Sequence, residues 1–275
     1  MASIFMQLLF NGLIAGSIYA LVASGFSLIY SVNRFIHFAH GGVIAFSAYV
    51  AYFLFAKIGL DFSLAAISAI LFASLLGFGL NLLIYKQLRK RKTSAVILLI
   101  SSVALLILLE SFILLLFGAD VKSVGLIKVA KGTSVLGAVV TPLQIGIILV
   151  SAALLVGLFF FMKKTKIGKA MRAVSDNKEV AEIVGISSEK VYAWSFILGS
   201  AIAGIAGILI GLEQNLTPTM GTSLIVKGFA AAIIGGIGSV HGAVIGALVL
   251  GLIENFGIWY LPSGYKDAIG FILLF

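Results

Sequence analysis

The chain contains no cysteine, which excludes disulfide bonds and thiolate-ligated metals. Charge is scarce as well. Asp, Glu, Lys and Arg make up 11% of 275 residues, less than half of the roughly 25% typical of a soluble domain. The three prolines, Pro142, Pro218 and Pro262, fall near the ends of apolar runs or in loops, where a missing N–H costs little. No GxxxxGK(S/T) sequence occurs, since Gly168-Lys169 is followed by Ala170 and lacks the upstream glycine. The chain therefore has no P-loop with which to hydrolyse ATP. His37, His40 and His241 have neither cysteine partners nor HExxH spacing, so no metal site and no catalytic constellation is expected. The N-terminus, MASIFMQLLFNG, lacks a basic region and a cleavage site, and reads as the start of a first span.

What the chain has in abundance is hydrophobicity, at 61% apolar residues and a mean hydropathy of +1.19. Apolar runs fall at about 4–30, 41–56, 62–85, 94–117, 142–162, 191–213, 224–258 and 267–275. A bilayer crossing takes about 20 residues, and every backbone polar group inside it must be satisfied internally. The fold class predicted is an all-α integral membrane protein, a polytopic bundle of about eight transmembrane helices with broken or re-entrant segments. It forms a single transmembrane domain over 1–275. The run 224–258 is too long for one span and is interrupted by Gly235-Gly236-Ile237-Gly238-Ser239. A short half-helix followed by a full span from about 240 is expected. The last run is too short to cross, and the natural protein is expected to continue past Phe275.

The net charge of +9 is not a nucleic-acid signature, because twelve of the nineteen basic residues sit in two places. Five lie at 86–92 and seven at 163–190. Cytoplasmic loops carry this bias. Placing both stretches inside puts 57–61, 118–141 and the N-terminus outside, and 31–40 inside. The stretch 163–190, KKTKIGKAMRAVSDNKEVAEIVGISSEK, is the one long polar segment, and it reads as short amphipathic helices. Ala170, Ala173, Val174, Val180, Ala181 and Ile183-Val184 give it a small apolar surface. Gly185 reads as a helix C-terminus, and Ser187 or Ser188 as the start of the next helix. Docking to a partner's groove suits this pattern. A membrane-surface helix is the alternative, and it suits the basic start better than the acidic Asp176, Glu179 and Glu182.

Other residues stand out against the apolar background. Gly199, Ala203, Gly207 and Gly211 repeat every four residues, and Gly242 and Gly246 do the same later. Small residues at this period let helices approach closely in lipid. Glu110 and Glu254 lie within spans, where a carboxylate costs about 2.5–3.5 kcal/mol unless it faces protein or water. Interhelical hydrogen bonding and a place in a substrate path are both open to them. Asn33, His37, His40 and Gly41, with Gly235, Gly236, Gly238 and Ser239, mark two broken stretches that are candidates for the translocation path. HGGVIA at 40–45 and HGAVIG at 241–246 form a short internal echo.

Three stretches resemble the permeases of branched-chain amino acid ABC transporters, and most closely the first of the two paired permeases. They are NGLIAGSIYALVASGFSLIYSVNRFIHFAHGGVIAFSAYVA, KIGKAMRAVSDNKEVAEIVGI and KGFAAAIIGGIGSVHGAVIGALVLGLIE. The resemblance runs in order across nearly the whole chain, though His37 stands where the family commonly has Asn. It implies the permease subunit of an importer in a bacterial inner membrane. Its partners would be a second permease, two cytoplasmic ATP-binding subunits that bind ATP and Mg, and an extracytoplasmic solute-binding protein. The loop with Gly168, Ala170, Arg172, Ala173, Asp176, Asn177, Ala181 and Gly185 would correspond to the segment coupling to the ATPases. The broader family also carries sugars, nucleosides and amides. An ion- or proton-coupled transporter using Glu110 and Glu254 is the rival reading.

Overall fold

The computed structural model describes residues 2–126, 132–260 and 262–272. Its helices are α1 (Ala2–Asn33), α2 (Ala39–Tyr52), α3 (Phe62–Leu80), α4 (Lys86–Lys90), α5 (Ala95–Phe117), α6 (Pro142–Lys164), α7 (Lys166–Asp176), α8 (Lys178–Ile183), α9 (Ser188–Glu213), α10 (Met220–Ile234), α11 (Val240–Gly257) and α12 (Lys266–Ile272). A π-helical turn, Phe53–Lys57, extends α2, and a second, Asn81–Tyr85, joins α3 to α4. Among the described residues seven helices are long and apolar enough to cross a bilayer, and α10 is a shorter apolar helix. The expected break of the 224–258 run is present, with the half-helix α10 before 235–239 and the span α11 after it.

Burial divides the helices into a centre and a periphery. From Ile18 to Ile29, α1 is buried on nearly every side, and it packs against α6, α9, α10 and α11. Gly12, Gly16 and Gly25 let the backbones of α11 and α9 approach it closely. By contrast α3, α5 and α6 turn large aliphatic side chains outward, among them Leu71, Leu75, Ile100, Leu115, Leu149 and Val156. In water these would be a liability, but facing acyl chains they cost nothing. The inward face of α3 is Ala65, Ala69, Ala73 and Gly77, a four-residue stripe laid against α9. α3 therefore gives small residues to its neighbour and large ones to lipid.

The connection 118–141 contains strands that its composition does not announce. A two-stranded hairpin, β1 (Thr133–Val135) and β2 (Ala138–Val140), turns through Leu136 and Gly137, both at positive φ. Gln7 of α1 holds β2 by accepting from Val139 N at 2.8 Å and donating to its carbonyl at 3.2 Å. Thr141 then begins α6 with a capping box to Gln144.

Candidate functional site: a basic face and a buried polar seam

The basic stretch 163–190 folds as two short helices anchored into the bundle. Thr165 Oγ1 accepts from Gly168 N at 3.0 Å and starts α7, and Asn177 Oδ1 accepts from Val180 N at 3.1 Å and starts α8. Gly185 ends α8 at φ +86°, and Ile186 N closes back on the Ala181 carbonyl at 2.9 Å. α9 then starts at Ser188. Met171, Val174 and Ala181 are buried against Leu28 and Val32 of α1, Leu158 of α6, and Val191 and Tyr192 of α9. Arg89 of α4 pins the far side, pairing with Glu189 at 3.2 Å and stacking on the Tyr192 ring at 4.5 Å.

This geometry revises the apolar docking surface expected from the sequence. Ala181, Val174 and Gly168 face the bundle, because helices this short can fold only by burying one face there. A Cβ at Gly168 would collide with the backbone of Phe161 and Met162. Ala170 and Ala173 are half-buried. The exposed apolar residues are instead Val180, Ile183 (83% exposed) and Val184 (69% exposed). Arg172, Asp176 and Asn177 are solvent-facing, as is Gly185.

The first broken stretch, 34–38, is a buried seam joining α1 to α2. Asn33 Nδ2 donates to Ser195 Oγ of α9 at 2.8 Å, while Ser102 of α5 accepts from Phe38 N and donates to the Ile36 carbonyl, both at 3.1 Å. The two Ser102 bonds satisfy backbone groups that unwinding leaves unpaired. The π-helical turn at Asn81–Tyr85 aims Tyr85 at His37, whose Nδ1 lies 2.9 Å from the hydroxyl. Burial, reinforced by His40, drives the His37 pKa well below the ordinary imidazole value. His40 lies against Gly25, and Gly41 packs backbone to backbone on Gly221 of α10. Arg34 adopts φ +57° and donates to the Ser175 carbonyl, which ties the seam directly to α7. A non-glycine residue rarely holds that conformation without surrounding constraint.

The remaining candidates are distributed elsewhere. Glu110 of α5 accepts from Thr222 of α10 at 2.6 Å, close to the Gly41–Gly221 contact. Glu254 of α11 is fully buried in a separate cluster, with Tyr19 OH at 2.9 Å and Lys227 Nζ at 3.3 Å. Sequence reasoning passed over Tyr19 and Lys227. Lys227 was detectable, being the one Lys or Arg between Lys190 and Lys266 and lying inside an apolar run. Gly236 and Ser239 lie in an exposed turn beside α7, with Gly235 and Gly238 half-buried. That stretch does not enter the interior seam, because Gly235 and Gly242 press α10 and α11 into a tight hairpin. Gly199 and Gly207 contact Ile29 of α1 and the Ile44 carbonyl of α2, Gly211 contacts Leu216, and Ala203 is buried between them. Gly246 lies on the Ala231 carbonyl of α10. The HGGVIA and HGAVIG echo has no counterpart in environment, since His40 is buried and His241 is exposed. Among the described residues no three His, Asp or Glu side chains gather to hold a metal.

Residues 8–275 match the family model described as the permease component of branched-chain amino acid transport systems. The chain is 35% identical to LivH of Salmonella typhimurium, the permease protein of a high-affinity branched-chain amino acid transport system, over 98% of this chain and 91% of that one. BraD of Pseudomonas aeruginosa, a permease protein of the same kind of system, is 34% identical over 98% and 92%. A probable LivH from Methanocaldococcus jannaschii is 31% identical over 97% and 85%. Among solved structures, PsaBC from Streptococcus pneumoniae has a similar fold, with a TM-score of 0.51 at 16% identity, covering 98% of this chain and 91% of that one. A multi-pass helical bundle that aligns with these permeases along nearly all its length belongs to the permease family of branched-chain amino acid transport systems.

Proposed function

We propose that this chain is the inner-membrane permease subunit of an ATP-driven importer of branched-chain or related amino acids. Its partners in this reading are a second permease subunit, two cytoplasmic subunits that bind ATP and Mg, and an extracytoplasmic solute-binding protein. The observation that carries it is the aliphatic patch of Val180, Ile183 and Val184, held in water on a helix that is itself bolted to the bundle. An exposed patch of branched side chains on an ordered loop marks a protein contact. Force applied at α8 has a short path inward. Met171 and Val174 of α7 grip α1, and Ser175 holds Arg34 at the seam where α1 breaks into α2. Movement of α7 and α8 on ATP binding would then shift α1 against α2 and open the path on one side.

The test replaces Ile183 and Val184 together with Asp. Both side chains are exposed, so folding is preserved. Burial of such side chains is worth about 1.5–3 kcal/mol each, so recovery of the ATPase with the permease should fall more than tenfold, along with ATP-dependent uptake. Unchanged assembly and uptake would overturn the reading. A proton-coupled transporter instead predicts uptake by this chain alone that a protonophore abolishes. Against that, Glu110 and Glu254 both have hydrogen-bond partners within the bundle.

A further inference from the structure

A cleft of about 510 Å³ opens between α6, α7 and the first turns of α11. It exists because the glycines of α11 draw that helix toward α10 and α1, while α6 packs on α1 and α7 and meets α11 through Phe159, whose ring lies edge-to-face on His241 at 5.1 Å between centroids. Its walls are apolar, formed by Leu155, Val156 and Phe159 of α6 and Val244 and Ile245 of α11. Val156 and Ile245 are both more than half exposed, so the mouth opens sideways onto the surface that α6 presents to lipid. One end is polar, where Arg172, Ser239 and His241 converge.

That polar end is also the basic end. Lys163 and Lys164 follow Phe159 and Phe160 at the end of α6, each ammonium 5.6 Å from one of those rings. Among the described residues the Arg172 guanidinium holds one long bond, 3.4 Å to the Lys163 carbonyl, which leaves donors for an anion. The N-terminus of α11 opens at the same place, where Ser239 Oγ already accepts from Gly242 N at 3.1 Å and the Val240 and His241 N–H groups precede the first intrahelical bond. Asp176 is the one carboxylate in the lining. A slot that is apolar toward the bilayer and cationic toward the cytoplasm matches one class of molecule. Basic pockets between transmembrane helices on this side bind anionic headgroups.

We propose that the cleft binds one anionic phospholipid of the cytoplasmic leaflet. An acyl chain lies between α6 and α11, and the phosphate sits at Arg172, Ser239 and His241 beside Lys163. The bound lipid would wedge α7, the helix that grips α1, against α11.

The test reconstitutes the whole chain with equal amounts of phosphatidylglycerol and phosphatidylcholine, washes it in detergent, and counts retained lipid by native mass spectrometry. One phosphatidylglycerol should be kept in preference to phosphatidylcholine. Arg172→Gln should lower that retention about fivefold, the effect of one interfacial positive charge. Val244→Trp fills the apolar end and should abolish retention, while Lys169→Gln, outside the cleft, should leave it intact. Equal retention of the two lipids, or retention unchanged in Arg172→Gln, overturns the proposal even if Val244→Trp does not fold. A second arm uses the absence of native cysteine. Efficient cross-linking between two subunits through Val156→Cys and Ile245→Cys would show a protein in the cleft and equally overturn it.

Discussion

The sharpest test of the buried electrostatics is the cluster of Tyr19, Lys227 and Glu254. Glu254 is fully buried, and its Oε2 accepts from Tyr19 OH at 2.9 Å and Lys227 Nζ at 3.3 Å. Lys227 also donates to Tyr19 OH at 3.0 Å, and its side chain is 15% exposed. Lys227→Met keeps the length of the stem and removes the charge, leaving the carboxylate with the phenol alone. Breaking a buried pair on one side costs about 3–5 kcal/mol, and the partial exposure of Lys227 places the expected loss at about 3 kcal/mol, the low end of that range. The double variant Lys227→Met, Glu254→Leu removes both charges and should recover most of that loss, since apolar replacement of a buried pair is often neutral. The cycle also separates the pair from other contacts made by Lys227. Unfolding measured in detergent mixed with increasing SDS reads all four proteins. A loss below about 1 kcal/mol for Lys227→Met, or a double variant as weak as the sum of the singles, would refute this account of the cluster.

Two contrasts test packing and the seam. Gly207→Ala should destabilise the fold by about 1–3 kcal/mol, because its new methyl meets the rigid Ile44 carbonyl of α2. Gly79→Ala has open space and should be neutral or slightly stabilising in the same unfolding assay. Tyr85→Phe strips the hydroxyl 2.9 Å from buried His37 Nδ1 and should cost about 1–3 kcal/mol. Tyr49→Phe removes a buried hydroxyl with no hydrogen-bond partner among the described residues and should cost nothing measurable.

Much of the fold and part of the site were legible in the amino-acid sequence because lipid imposes strict rules on it. Spans had to be long and apolar, so most of their ends followed from hydropathy; about eight were expected, and seven helices are long enough among the described residues. The caps of α7 and α8 were local as well. Gly185 ends α8 for the same backbone reason wherever α8 packs. The small-residue stripe of α9 declared a packing face in the same way, although its partners, Ile29, Ile44 and Leu216, lie on three different segments.

Direction was not legible. In a helix as short as α8, Val180 and Ala181 are neighbours in sequence and equally apolar, yet one is exposed and the other buried. Which side meets the bundle depends on where α1, α6 and α9 stand. The two breaks, one followed by Gly41-Gly42 and the other containing Gly235, Gly236 and Gly238, looked alike in sequence, but 33–38 is sealed by Ser102, Ser195 and Tyr85 from three other segments, while 235–239 turns at the surface. The charge on Lys227 could be seen but its partner could not, since 27 positions separate it from Glu254 along the chain. The sequence alone determined that this is a helical membrane protein with one long basic polar connection, because those properties depend on solvent and on near neighbours. Only the tertiary structure decided which residues face the partner, the seam and the lipid, because those choices rest on contacts between helices remote from one another in the chain.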